Sequence, residues 1–262
     1  MQTKLTSFLK YSAIAVGLIG LTACATSPVP ETISVNDGKK IGILVDASDF
    51  PTHTHLSISV LSRPFVKDLK VDWQIEEAII QTLRDEIEGN TQFEVVNLRS
   101  LGINSTNDAD IVRTKFGSKK LNNEVANNLK SQGVSVVVNI AERPTQASEY
   151  CPFETPSNCV ALYSQGYGVV SQGHALGDNF YASASFKTQI ESTNPPAMLN
   201  YERGLRGINS YFSTNRQLRY NEVPRSPKRI TDEELEPFKR EVLQHFSDMG
   251  KKIAVYLNAK AA

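Results

Sequence analysis

The chain has 262 residues, with 28 basic and 28 acidic side chains, 40% hydrophobic residues and three cysteines. That length builds one large domain or two small ones, and the even charge balance lacks the basic surplus of a nucleic-acid binder. No apolar run of membrane-spanning length follows the N-terminal segment, so the body is expected to stand outside the bilayer.

The N-terminus carries its own pattern. Lys4 and Lys10 make it positive, and no acidic residue precedes Glu31. Ala13 to Leu21 form an apolar run that is too short to cross a ~30 Å hydrocarbon core. It breaks into Leu21-Thr22-Ala23-Cys24, small residues where a secretory signal peptide is cut. This segment resembles the lipobox of bacterial lipoproteins. The resemblance implies cleavage before Cys24, a diacylglycerol thioether on its sulfur and acylation of the new N-terminus. Two or three such chains anchor firmly where one is marginal. On this reading residues 1–23 are a signal peptide and 24–38 are the lipidated Cys24 with a Ser/Thr/Pro-rich flexible tether. The rival readings are an ordinary signal peptide with an incidental cysteine and an uncleaved anchor. Ala25, where Asp would favour the inner membrane, is compatible with the outer membrane, facing the periplasm. Cleavage removes two lysines and leaves 239 residues with 26 basic and 28 acidic groups.

A single α/β (α+β) domain is expected over 39–262: a mixed β-sheet with helices packed on it and a long C-terminal amphipathic helix. Lys40 to Val45 reads as a buried strand and Leu56 to Leu61 as a second, alternating one. Asp72 is placed to N-cap a helix, with Glu76 and Glu77 at its positive end. In that helix Ile75, Ile79, Leu83 and Ile87 form one apolar face, and Trp73 at its first turn is expected in the core. Gly89-Asn90 stops the helix, and Phe93 to Leu98 reads as a strand. After a polar stretch over 99–118, Leu121, Val125 and Leu129 line up on a second helix ending at Gly133. Val134 to Ile140 is β-branched and nearly continuous, as a central strand should be. The order β–β–α–β–α–β over 40–140 is that of an α/β sandwich.

Beyond 160 the texture is that of antiparallel strands. Val160 to Ser171 is one. In the next, Phe180, Ala182, Ala184, Phe186, Thr188 and Ile190 share a face. Residues 192–229 read as a long excursion. Thr231 and Glu234 match a capping box. From there Leu235, Phe238, Val242, Phe246, Met249, Ile253 and Tyr256 step by three and four along a helix.

Chemistry-bearing constellations are few. Cys151 and Cys159 bracket a Pro-containing loop and read as a disulfide in an oxidising compartment. A metal pair would need two further ligands, and the spacing is not Cys-x-x-Cys. His53-Thr-His55 would face one side of a strand as a metal pair, but lacks a local third ligand and reads as polar loop histidines. Ser171-Gln-Gly-His174 reads as turn chemistry, not as a nucleophile and its base. No nucleotide-binding run occurs, so no cofactor is expected. Tyr201, Arg203, Arg206, Tyr211, Arg216 and Arg219, together with Phe212, Tyr220 and Arg225, gather the residue types that anchor protein interfaces. They also fit a solvated loop over the sheet.

The order of strand 40–45, helix 73–88, strand 92–98, helix 119–132 and strand 134–140 resembles the small α/β domains of several envelope proteins. These are the N-terminal domain of the translocation protein TolB, the lipoprotein activators of penicillin-binding proteins and the curli secretion lipoprotein. No motif supports carrying a functional residue over, and fold does not imply function. The expected function is a non-catalytic binding or adaptor lipoprotein in envelope assembly, secretion or cell-wall synthesis, anchored through its lipid and docking an envelope protein. Binding of a small molecule, glycan or lipid is the first alternative. An envelope hydrolase with dispersed catalytic residues is the second, and its mark would be a His converging on a Ser or a carboxylate.

Overall fold

The computed structural model describes residues 39–56, 64–105, 108–115, 118–150, 160–164, 166–174, 177–208, 212–217 and 223–261. The chain opens with β1 (Lys40–Asp46), β2 (Thr52–Leu56) and β3 (Phe65–Asp68), then α1 (Ile75–Glu88) and β4 (Glu94–Asn97). A 3-10 turn (Leu98–Leu101), β5 (Val112–Lys115), β6 (Ser118–Leu121), α2 (Asn123–Ser131) and β7 (Val134–Glu142) follow. The second half holds β8 (Thr145–Tyr150), β9 (Val160–Ser164), β10 (Tyr167–His174), β11 (Gly177–Thr193), β12 (Pro196–Met198), β13 (Phe212–Gln217) and α3 (Asp232–Ala261).

One mixed sheet organises these elements, in the order β3-β2-β10-β11-β7-β1-β4, with β12 and β13 also pairing with β11. Strands β4, β1 and β7 run parallel, and β11 lies antiparallel to both β7 and β10. The parallel third is apolar on both faces, as parallel sheets are. Ile41, Ile43 and Val45 of β1 enter the larger core with α1 and α3, whereas Leu44 enters a second cluster with Leu129 of α2. Gly42 lets the 3-10 turn close over β1, because a Cβ at this position would collide with the Leu98 side chain.

The long C-terminal helix covers the antiparallel half. Leu235, Phe238, Val242, Phe246, Met249, Ile253 and Tyr256 are all buried, so the predicted seam is the packing seam. Burial of each is worth about 2 kcal/mol relative to exposure. Phe238 meets Phe180 edge-on and Phe246 meets Phe186 likewise. The capping box closes as expected: Thr231 N–H donates to Glu234 Oε2 at 2.9 Å, and Glu234 N–H returns to Thr231 Oγ1 at 3.4 Å.

Several local expectations are corrected. The second strand is Thr52–Leu56, not 56–61; residues 57–61 lie outside the described residues. Asp72 does not cap α1. Gln74 holds the N-cap position with φ 48°, and Asp72 Oδ1 instead accepts its N–H at 2.7 Å. Trp73 is buried as expected but precedes the helix. Leu121 belongs to β6 and is exposed, because α2 begins only at Asn123, where Asn122 accepts Val125 N–H. The 99–118 stretch contributes the 3-10 turn and the β5–β6 hairpin. Val160–Ser171 is two strands, with Gly166 between them. The 192–229 excursion adds β12 and β13 to the sheet and buries Leu199, Leu205 and Ile208.

Candidate functional site

A buried polar cluster lies where β2 joins β10. The two strands pair in parallel, Thr52 beside Gly168 and His55 beside Ser171. Gly168 permits that approach. Its φ of 140° suits glycine, and a Cβ would run into the Thr52 backbone. Period-2 alternation then places His53 and His55 on the face that Val169 and Ser171 share.

Both imidazoles close on one hydroxyl. His53 Nε2 and His55 Nδ1 each lie 2.8 Å from Ser171 Oγ. Phe65 of β3 covers them, stacked on His55 and edge-on to His53, with ring centroids 5.1 Å away in each case. His53 and Ser171 are 0% exposed and His55 4%. Burial pushes His53 down to about 3 from 6.5, helped by the Lys67 charge and then by His55. Burial also lowers His55, with Lys228 adding to it and Asp178 opposing it. At neutral pH both rings are therefore neutral.

These positions overturn two expectations. His53 and His55 are not loop residues but interior strand residues. Ser171 is not in a turn but inside β10. One nitrogen of each ring is engaged by Ser171, and no cluster of three His, Cys, Asp or Glu able to hold a metal ion occurs among the described residues. A hydroxyl between two imidazoles has the make-up of an activated nucleophile. Ser171 has no exposed surface, so a substrate carbonyl has no path to its oxygen in this arrangement.

A second buried group, which the sequence reading missed, lies on the opposite side of the sheet. Glu191 of β11 is 0% exposed and accepts the N–H groups of Ile111 at 3.0 Å and Val112 at 3.1 Å. Burial pushes its carboxyl up to about 7, opposed by the Ile111 hydrogen bond and assisted by the Asp110 charge. Its role is to fasten the chain entering β5 onto the sheet.

A third feature is an open cleft of about 440 Å³ beyond the carboxyl end of β1, lined by Ala47, Ser48, Asp49, Asp72, Gln74 and the first turn of α1. Chain crossings diverge here: β4 flanks β1 on one side and β7 on the other, the switch point where open α/β sheets bind ligands. Glu76 is committed to structure, accepting Ala47 N–H at 3.1 Å and Arg99 at 2.9 Å. Arg99 also donates to the Val45 and Asn104 carbonyls. Tyr167 donates its hydroxyl to the Ser48 carbonyl at 2.7 Å; burial and then Glu142, Asp72, Asp49 and Glu76 hold that phenol well above its usual range. The wall is acidic and repels anions.

The candidate interface residues divide. Tyr201, Arg203 and Arg206 share one turn and are exposed, Tyr201 at 63%. Arg206 Nε donates to the Tyr201 carbonyl at 3.2 Å. Asn200 fixes that turn from inside: its Oδ1 accepts Ile190 N–H at 2.8 Å, and its Nδ2 donates to the carbonyls of Thr188 at 3.1 Å and Ile208 at 2.8 Å. Arg216 is on β13, whereas Tyr211 and Arg219 lie outside the described residues, as do Cys24, Cys151 and Cys159. Tyr150 and Val160, which flank the two loop cysteines, are cross-strand partners.

No family model and no curated protein sequence matches the chain. Among solved structures it is similar to the hypothetical protein CT253 from Chlamydia trachomatis, at 11% identity and a TM-score of 0.40, over 84% of this chain and 99% of that one. A likeness of that degree carries no argument about function.

Proposed function

We propose that the protein is a lipid-anchored envelope protein whose α/β body docks a protein partner and catalyses no reaction. The anchor rests on Leu21-Thr22-Ala23-Cys24, and the binding role on the turn carrying Tyr201, Arg203 and Arg206. That turn is exposed, rich in anchor-type residues and held from within by Asn200. A rigid platform loses little conformational entropy on binding, and Tyr and Arg are the side chains that concentrate binding energy. Lipid tethering at the outer membrane, facing the periplasm, would raise the local concentration of this surface near an envelope partner.

The test is photo-crosslinking in cells from a benzophenone side chain introduced at Tyr201 or Arg203 of the full-length chain. An envelope protein captured from these positions, and lost when Arg206 is also changed to Glu, supports the reading. Adducts with no specific protein at either position would refute it. Metabolic labelling with a clickable fatty acid, compared with Cys24→Ala, tests the anchor separately.

A second reading, an envelope hydrolase, is favoured by one observation, the 2.8 Å contacts of two imidazoles with Ser171. A fluorophosphonate probe that labelled the wild type and not Ser171→Ala would establish it. Burial of Ser171 weighs against that outcome.

A further inference from the structure

The hydrogen bonds at Ser171 fix where protons sit. A serine hydroxyl has one proton, so when it donates to one ring it must accept from the other. His53 Nδ1 is buried with no hydrogen-bond partner among the described residues. Buried N–H groups are seldom left orphaned, so the bare lone pair belongs on Nδ1 and the proton on Nε2. The chain then runs one way: His53 Nε2–H donates to Ser171 Oγ, and Ser171 O–H donates to His55 Nδ1. Both rings are Nε2–H tautomers.

One more proton has no acceptor. On His55 Nδ1 it would strand the Ser171 O–H; on His53 Nδ1 it would make a buried donor with no partner. The surrounding charges set the balance. Lys67 of β3 opposes a cation on His53, and Lys228, before α3, opposes one on His55. Asp178 of β11 favours one on His55. At this edge β3 is a four-residue strand at the end of the sheet order, attached through β2 and also met by β9, with Lys67 Nζ 5.3 Å from the Phe65 ring centroid and donating to the Lys228 carbonyl.

We propose that His53, Ser171 and His55 form an acid-operated latch that holds β2 and β3 onto β10 and releases this edge when an imidazole takes up a second proton. The sign follows from the lowered imidazole values. The edge is fully held above the ordinary histidine pKa of 6.5, and opening becomes easier as pH falls below it. At pH 5 the His53 shift alone raises the opening constant about 30-fold over pH 8, if the ring reaches water in the open form.

Native-state hydrogen exchange of the full-length chain at pH 5 and pH 8, corrected for intrinsic rates, tests the latch. The expected result is an increase of tenfold or more for the amides of β2 and β3, with those of β7 unchanged. A rise of less than threefold at the edge, or an equal rise in β7, would overturn it. Nitrogen-15 spectra of the rings at pH 8 should show both as Nε2–H tautomers; an Nδ1–H tautomer for His53 would refute the proton assignment. A His53→Gln, His55→Gln double variant should lose the pH effect, and an effect that persisted would count against the latch. Should that variant not fold, the wild-type exchange and ring spectra decide alone.

Discussion

Replacing Glu191 with Gln changes one buried acid into a neutral near-isostere, and the outcome can be worked out in advance. The carboxyl titrates at about 7 in the fold against 4.5 when unfolded. A raised value means that the folded state binds the proton more tightly. Its stabilising contribution is therefore complete below pH 4.5 and is lost as pH rises through 7. A gap of 2.5 units at 1.36 kcal/mol each amounts to about 3 kcal/mol. Glutamine keeps a carbonyl for one of the two N–H donors and forfeits an acceptor for the other, costing about 1 to 3 kcal/mol at every pH. The assay is urea unfolding of wild type and Glu191→Gln at half-unit steps from pH 4.5 to 8. The stability of the variant minus that of the wild type should climb by about 3 kcal/mol across this range. A flat difference would refute the argument, because Glu191 would then titrate alike in both states.

Other perturbations follow from the same hydrogen-bond accounting. Asn200→Ala strands Ile190 N–H and the carbonyls of Thr188 and Ile208, so a loss of about 3 kcal/mol in denaturant unfolding is expected. Gly168→Ala forces a Cβ onto the Thr52 backbone and puts alanine at a φ of 140° that it rarely adopts; exchange protection should fall first in β2. Because Tyr150 and Val160 are paired, a Cys151–Cys159 bridge would close a nine-residue loop worth about 2.5 kcal/mol. Denaturant unfolding with and without reductant should differ by that amount, and free thiols in the untreated protein would exclude the bridge.

How much of this was legible depended on which physical signal each residue carried. The α3 seam, the α1 face and β7 were readable because large apolar side chains repeat at the period of the element. The Phe180–Ile190 face was readable for the same reason. The polar interior was not. His53, His55 and Ser171 look like surface residues until β2 lies against β10, a pairing between segments more than 110 residues apart that no local pattern encodes. One cue was present: Tyr167, Val169 and Ser171 alternate, which aligns Ser171 with a buried aromatic. Glu191 gave less, since Lys187, Gln189 and Glu191 together read as a solvated strand face. Its burial depends on the chain at 109–112 crossing over it. Asp72 failed as a cap because Gln74, two residues later, adopts φ 48° and takes its place.

The two buried titrating sites also bear on each other. Going down from pH 8, Glu191 takes up a proton that favours the fold, whereas below 6.5 the proton refused by His53 works against it. Between about pH 5 and 6.5 the two slopes are of opposite sign and nearly equal size, since each group then differs by most of one proton between folded and unfolded states. Because burial lowers His55 as well, the imidazole side outweighs Glu191, and global stability of the wild type should fall with acid in that window less steeply than it would without Glu191. A shallow slope there would reflect opposed titrations, not an absence of titrating groups. Glu191→Gln removes the opposing one, so in that variant stability should fall by at least about 1.5 kcal/mol as pH drops from 6.5 to 5, the share of His53 alone. Opening of the β2–β3 edge leaves Glu191 and β5 in place, so it escapes the cancellation. Local exchange at this edge therefore reads the latch more sharply than global unfolding does.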